Sequence, residues 1–146
     1  MTTANNTTKI TIEATVKAPV GKVYQVWTSP ADIVKWSTPS PEWHTPRAEH
    51  DLTEGGKFNY RMEAKDGSFG FDFGGVFDVL KKDELIEYTI GDGRKVEIHF
   101  NKMGDNETHI VQTFDAEGQN SVEMQRAGWQ AILDSFKNYT EKTPTL

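Results

Sequence analysis

The chain contains no cysteine, no long apolar run and no excess of basic residues. Each absence removes a class of function. Without cysteine there are no disulfides, no thiol nucleophile and no cysteine-held metal. No segment approaches the roughly 18 apolar residues of a membrane span. Lys and Arg number 16 against 22 Asp and Glu, and the net charge is −6. That balance argues against nucleic acid and anionic membrane surfaces, which select basic patches. The first eight residues, Met1 to Thr8, lack the charged and apolar regions of a signal peptide, so a cytoplasmic location is expected.

Motifs for catalysis and cofactors are missing as well. There is no G-x-S-x-G, and no Ser stands with an obvious base partner. The four histidines, His44, His50, His99 and His109, are not paired at metal-ligand spacing. Glu54-Gly55-Gly56 and Gly91-Asp92-Gly93 read as hairpin turns, because no helix follows either to make a phosphate loop. No cofactor and no metal are expected.

What the chain does have is rings. Aromatic residues make up 11% of the 146, including four Trp and eight Phe, in a sequence only 36% hydrophobic. A chain of this length forms one domain able to bury roughly 70% of its unfolded surface. Residues 1–8 read as a polar tail, 9–140 as the domain and 141–146 as a second tail.

The longest helical period runs from Asn120 to Tyr139. Asn120 is the expected cap, with Glu123 completing a capping-box-like pair. Val122, Trp129, Ile132, Leu133, Phe136 and Tyr139 share one arc; Glu123, Arg126, Gln130, Asp134 and Lys137 share the opposite one. Two residues depart from the pattern. Gly128 is mid-helix, where glycine costs about 1 kcal/mol relative to Ala, so close approach by a neighbour is expected there. Gln125 projects into the apolar arc.

Upstream, Ile10, Ile12, Ala14 and Val16 alternate with polar residues as a half-buried strand. Pro19 and Ser29-Pro30 open two short helices that meet near Trp27 and Trp36. Ser37 to Pro46 is proline-broken and reads as a loop leading to a strand near Arg47–Asp51. Strands carrying Phe58/Tyr60/Met62 and Phe69/Phe71/Phe73 flank the hairpin signal Asp66-Gly67. Gly74-Gly75 suggests a bulge or a sharp coil. Further strands follow at Leu85–Ile90, Val96–Phe100 and His109–Phe114; in the last, either Ile110/Gln112/Phe114 or Val111/Thr113 faces inward. The order predicts an α+β domain, an antiparallel meander closed on one face by the last helix.

This order of motifs resembles the START-like, or birch-pollen-allergen-like, helix-grip superfamily (SRPBCC). Within it the chain is similar to the family named after the activator of the ninety-kilodalton heat-shock chaperone's ATPase. The matching residues are Ala18-Pro19 with Val23–Trp27, Thr28-Ser29-Pro30 leading to Trp36, and Asp51 through Phe58. Phe71-Asp72-Phe73-Gly74-Gly75-Val76-Phe77 and Gly128-Trp129 with Leu133 complete the set. The resemblance implies a sheet of about seven strands wrapped around the C-terminal helix, with a cavity between them that in this superfamily commonly holds lipids, sterols or polyketides. Some members are cyclases or aromatases. The founding activator carries an additional N-terminal domain to which nothing here corresponds, which ranks a chaperone partner below a small-molecule one.

The expected cavity residues are Trp36, Phe58, Tyr60, Phe71, Phe73, Tyr88, Phe100, Gln125, Trp129, Leu133 and Phe136. Apolar rings with a few polar groups are what small-molecule sites are made of, and the same rings also serve as plain core. Gln125 has three readings: it orients a ligand, it hydrogen-bonds the Ser37–Trp43 loop, or, one turn into the helix, it is half exposed with no role in the site. Tyr60 and Tyr88 have hydroxyls suited to a ligand's polar end. His44 is the histidine expected nearest the cavity mouth. The leading expectation is a non-catalytic binder of a small hydrophobic or amphipathic, lipid- or polyketide-like molecule. A chaperone-related interaction module and a cyclase- or aromatase-like enzyme are the alternatives.

Overall fold

The computed structural model describes residues 8–143; the remainder of both expected tails lies outside the described residues. Strand β1 (Lys9–Val16) leads into helices α1 (Val20–Thr28) and α2 (Pro30–Trp36). Six strands follow: β2 (Trp43–His50), β3 (Lys57–Ala64), β4 (Gly70–Lys81), β5 (Leu85–Ile90), β6 (Lys95–Gly104) and β7 (Glu107–Asp115). Helix α3 (Val122–Lys142) ends the described chain. All seven strands form one antiparallel sheet in the order β1-β7-β6-β5-β4-β3-β2. The α+β class and the helix-grip arrangement stand as expected.

Each consecutive pair from β2 to β7 is a hairpin, which is the arrangement short turns favour. Only β1 joins out of sequence, pairing Ile10 with Phe114 and Ile12 with Gln112. That register settles the face of β7. Thr108, Ile110, Gln112 and Phe114 are buried, so Ile110, Gln112 and Phe114 point inward. β1 buries Ile10, Ile12 and Val16 on the same side.

The curl of the sheet has two local causes. Gly75 lies where any Cβ would stand 2.1 Å from the Thr89 carbonyl oxygen and 3.0 Å from the Phe58 ring. Only glycine lets β4 come that close to β5 and still pack Phe58 beneath it. The register shift expected at Gly74-Gly75 falls slightly later, between Phe77 and Val79.

Three expected boundaries move. The strand placed near Arg47–Asp51 begins earlier, at Trp43, and takes in Pro46. It lies at the sheet edge with a register shift between His44 and Arg47, which is where a strand tolerates proline. The cap of α3 is Ser121 rather than Asn120: its hydroxyl accepts from the Met124 amide at 3.1 Å. Asn120 instead donates its side chain to Glu117. At the other end α3 continues through Lys142, so the C-terminal tail does not start at 141.

The core lies between the concave sheet face and the three helices. Leu133 and Phe136 of α3 are 1% and 0% exposed. Phe136 meets Trp27 and Trp36 edge to face at 4.7 and 4.9 Å, which locks α3 to the corner between α1 and α2. Aromatic contacts of this geometry add about 0.5–1.5 kcal/mol each beyond the buried area.

Candidate functional site

A cavity of about 390 Å³ remains between α3, the α2 corner and the β2–β5 half of the sheet. Nine of the eleven expected residues line it. Gln125, Trp129 and Leu133 come from α3, Trp36 from α2, Phe58 and Tyr60 from β3, Phe71 and Phe73 from β4, and Tyr88 from β5. The other two do not reach it. Phe100 lies behind Trp27 and Tyr24, with centroids 5.7 and 5.4 Å away. Phe136 is sealed behind Trp27 and Trp36. Both are ordinary core: Trp27 packs on each of them and is itself a ring that lines the space.

The walls are held by ring-to-ring packing. Trp129 lies flat on Phe114, centroids 4.0 Å apart, and meets Phe73 edge-on at 6.1 Å. Phe58 meets Tyr88 at 4.9 Å and Tyr60 at 5.1 Å. At the rim Leu52, Phe71 and Met124 are exposed, so the cavity reaches the surface past apolar side chains.

Gly128 overturns an expectation usefully. No atom approaches within 4 Å of where its Cβ would be, so the glycine accommodates no neighbour. It faces the cavity, and the space beside the helix is open.

Gln125 lines the cavity, yet its hydrogen bonds are spent on the β7–α3 connection. Its Oε1 accepts from the Glu117 amide at 2.8 Å, and Nε2 donates to the Glu117 and Asn120 carbonyls at 3.1 and 2.8 Å. It pins the loop before α3, not the Ser37–Trp43 loop that the sequence suggested.

The polar groups aimed inward are partly different from those expected. His44 sits beside Glu63, outside the lining. His50 takes the place anticipated for His44: its Nδ1 is 2.9 Å from the Tyr60 hydroxyl, and both residues line the cavity. Burial holds the His50 imidazole below its ordinary range, outweighing the Thr28 carbonyl and the Asp51 charge, which both favour protonation. Burial likewise pushes the Tyr60 phenol far up. Tyr88 is pushed up by burial and by Tyr60, with Arg94 pulling weakly the other way. All three are neutral near pH 7. Arg94 lines the cavity with its guanidinium on Asp92 at 2.8 Å.

Among the lining residues that sequence reasoning missed, three bring polar side chains that bear on ligand chemistry: His50, Arg94 and Gln112. The strand period offered a signal for His50, since Ala48 and His50 share a face of β2. Gln112 was one of two open registers. Arg94 follows a turn, where no period applies.

A curled seven-stranded antiparallel sheet gripping one long helix over an apolar cavity defines a helix-grip domain of the START-like superfamily. The family model described as "Activator of Hsp90 ATPase homolog 1-like protein" matches residues 17–141, and the chain belongs to that family. It is similar to an AHSA1-like protein of Aeromonas hydrophila, with 40% identity over 92% of each chain and a TM-score of 0.85. A protein of Cytophaga hutchinsonii shows 59% identity over 91% of this chain and 92% of its own, with a TM-score of 0.80. A protein of Chromobacterium violaceum shares the fold at 21% identity, covering 93% and 99%, with a TM-score of 0.83. No curated protein matches the chain. Among the described residues no helix is long and apolar enough to cross a membrane, and no cluster of His, Asp and Glu is arranged to hold a metal.

Proposed function

We propose that this protein binds one small hydrophobic or amphipathic molecule between its sheet and α3. The observation that carries the reading is the open space beside Gly128. A methyl group there would touch nothing, in a core that elsewhere packs ring against ring. The volume of about 390 Å³ falls within the range of small-molecule pockets. Burial of ring and aliphatic surface drives affinity, at roughly 25 cal/mol per Å².

Native mass spectrometry and NMR titration with a lipid and polyketide panel test this. Binding shifts the resonances of Trp129 and Phe73, the α3 and β4 rings that meet at the cavity wall. Failure of every compound to move either would overturn the reading.

The His50–Tyr60 pair supports a second reading, a cyclase- or aromatase-like enzyme. A neutral imidazole 2.9 Å from a buried phenol is suited to moving a proton on a substrate folded in the cavity. This predicts turnover of a polyketide chain that Tyr60→Phe abolishes without weakening binding. Equal turnover in the variant would remove it.

A further inference from the structure

We propose that Gln112 is the polar recognition residue of this cavity, and that its ligand is an uncharged amphiphile presenting a hydroxyl or carbonyl to the Gln112 amide. The inference rests on the binding reading above and narrows the ligand's chemistry.

Gln112 is placed unlike the other side-chain amides among the described residues. It sits in β7 with Ile12 and Ile98 as its register partners on the two neighbouring strands, and it is 5% exposed. That small exposure opens on the cavity, whose lining it forms. Its side chain makes no hydrogen bond to any described residue, and its polar atoms are not sealed from the cavity as those of Asn59 and Thr140 are from solvent. The contrast with Gln125 is direct. That glutamine lines the same cavity and has three hydrogen bonds to backbone. The protein therefore satisfies one buried amide completely and leaves the other facing the space. Packing alone gives no reason for this, since a leucine would suit the neighbours Ile12 and Ile98 better.

The chemistry of the amide and of its surroundings selects the ligand. An amide both donates and accepts, so it pairs with an alcohol, a phenol or a ketone. A carboxylate finds no free cation. Among the described lining residues Arg94 is the one fixed cation, held by Asp92 at 2.8 Å, and Glu117 lines the cavity too. His50 is kept neutral by burial. An anionic head would be desolvated without compensation.

Three probes of one skeleton separate the possibilities: 4-phenylphenol, biphenyl and biphenyl-4-carboxylate, titrated by NMR against the full chain. The phenol binds on the order of tenfold more tightly than the hydrocarbon and shifts the Gln112 side-chain amide signals, and the carboxylate binds weakest. In Gln112→Leu the advantage of the phenol disappears while biphenyl binds at least as well. Because leucine replaces an unpaired amide, this variant is also at least as stable as the parent, so misfolding does not confuse the result. Tyr88→Phe is the control, since the Tyr88 hydroxyl is the buried phenol that lines the same cavity. Equal binding of phenol and hydrocarbon, tightest binding of the carboxylate, or a preference lost in Tyr88→Phe but kept in Gln112→Leu would each overturn the inference. The first of these leaves the binding reading standing; absence of binding by all three overturns both.

Discussion

Trp129 lies on Phe114 with ring planes 11° from parallel and centroids 4.0 Å apart. The stack joins α3 to β7 across the core, and one edge of the indole faces the cavity. Trp129 is thus a wall rather than a hinged lid, and the plug at the closed end is Phe136 behind Trp27 and Trp36. Trp129→Ala is expected to cost about 3 kcal/mol, the loss of a large ring plus a cavity that α3 cannot close. Urea unfolding measures it. A loss under about 1 kcal/mol would mean the ring is free to swing, and the wall assignment would fail.

Gly128 separates stability from binding within one position. Gly128→Ala removes the backbone entropy cost of a mid-helix glycine and meets no neighbour, so it stabilises by about 1 kcal/mol. Gly128→Leu folds as well, because its side chain enters the cavity and not the core. Ligand affinity then falls, as the same space is filled. A Gly128→Leu protein that binds the panel as the parent does would place the ligand elsewhere.

Gln125 holds the approach to α3 by three hydrogen bonds to the Glu117–Asn120 segment. Gln125→Leu leaves two carbonyls and an amide without partners, at a cost of about 2 kcal/mol. The local readout is faster hydrogen exchange at the Glu117 amide. Unchanged exchange there would show that the loop is set by Ser121 and Glu117 alone.

The fold was legible because its strands are half-buried and its long helix is amphipathic, so two simple periods carry most of the topology. Ile10, Ile12 and Val16 announce a face by alternation, and Leu133 with Phe136 announce one by helical spacing. What a period cannot show is depth. Phe100 and Phe136 are buried on their elements' inward faces, yet Trp27 packs on both and takes the place at the cavity wall. That screening is decided by how α1 and α2 fold over the sheet, a long-range fact. Polar residues were legible by composition but not by partner. Gln125 stood out on the helix and proved structural; Gln112 sat in a strand of unsettled register and proved to face the cavity. The histidine spacing argues against a metal at His50 and says nothing of Tyr60 on the next strand.

The same histidine makes a pH prediction with a definite sign. Burial holds the folded-state His50 below its ordinary value of about 6.5, so between those two values the unfolded chain binds more protons than the folded one. Stability is therefore fully present above about pH 6.5 and is lost as pH falls through the folded value. The carboxylate Asp115 acts in a lower window. Its own burial raises it, but the Lys9 ammonium at 2.7 Å and the Lys95 amide at 2.9 Å outweigh that and hold it below its ordinary range. Urea unfolding between pH 7.5 and pH 5 should accordingly show a downward slope that His50→Gln removes, and a ligand that seals the cavity should steepen it by burying the imidazole further. NMR titration of the His50 ring locates the folded value directly. A midpoint at or above the ordinary histidine value would mean that the ring is solvated, and with it the neutral His50–Tyr60 pair at the cavity wall would go.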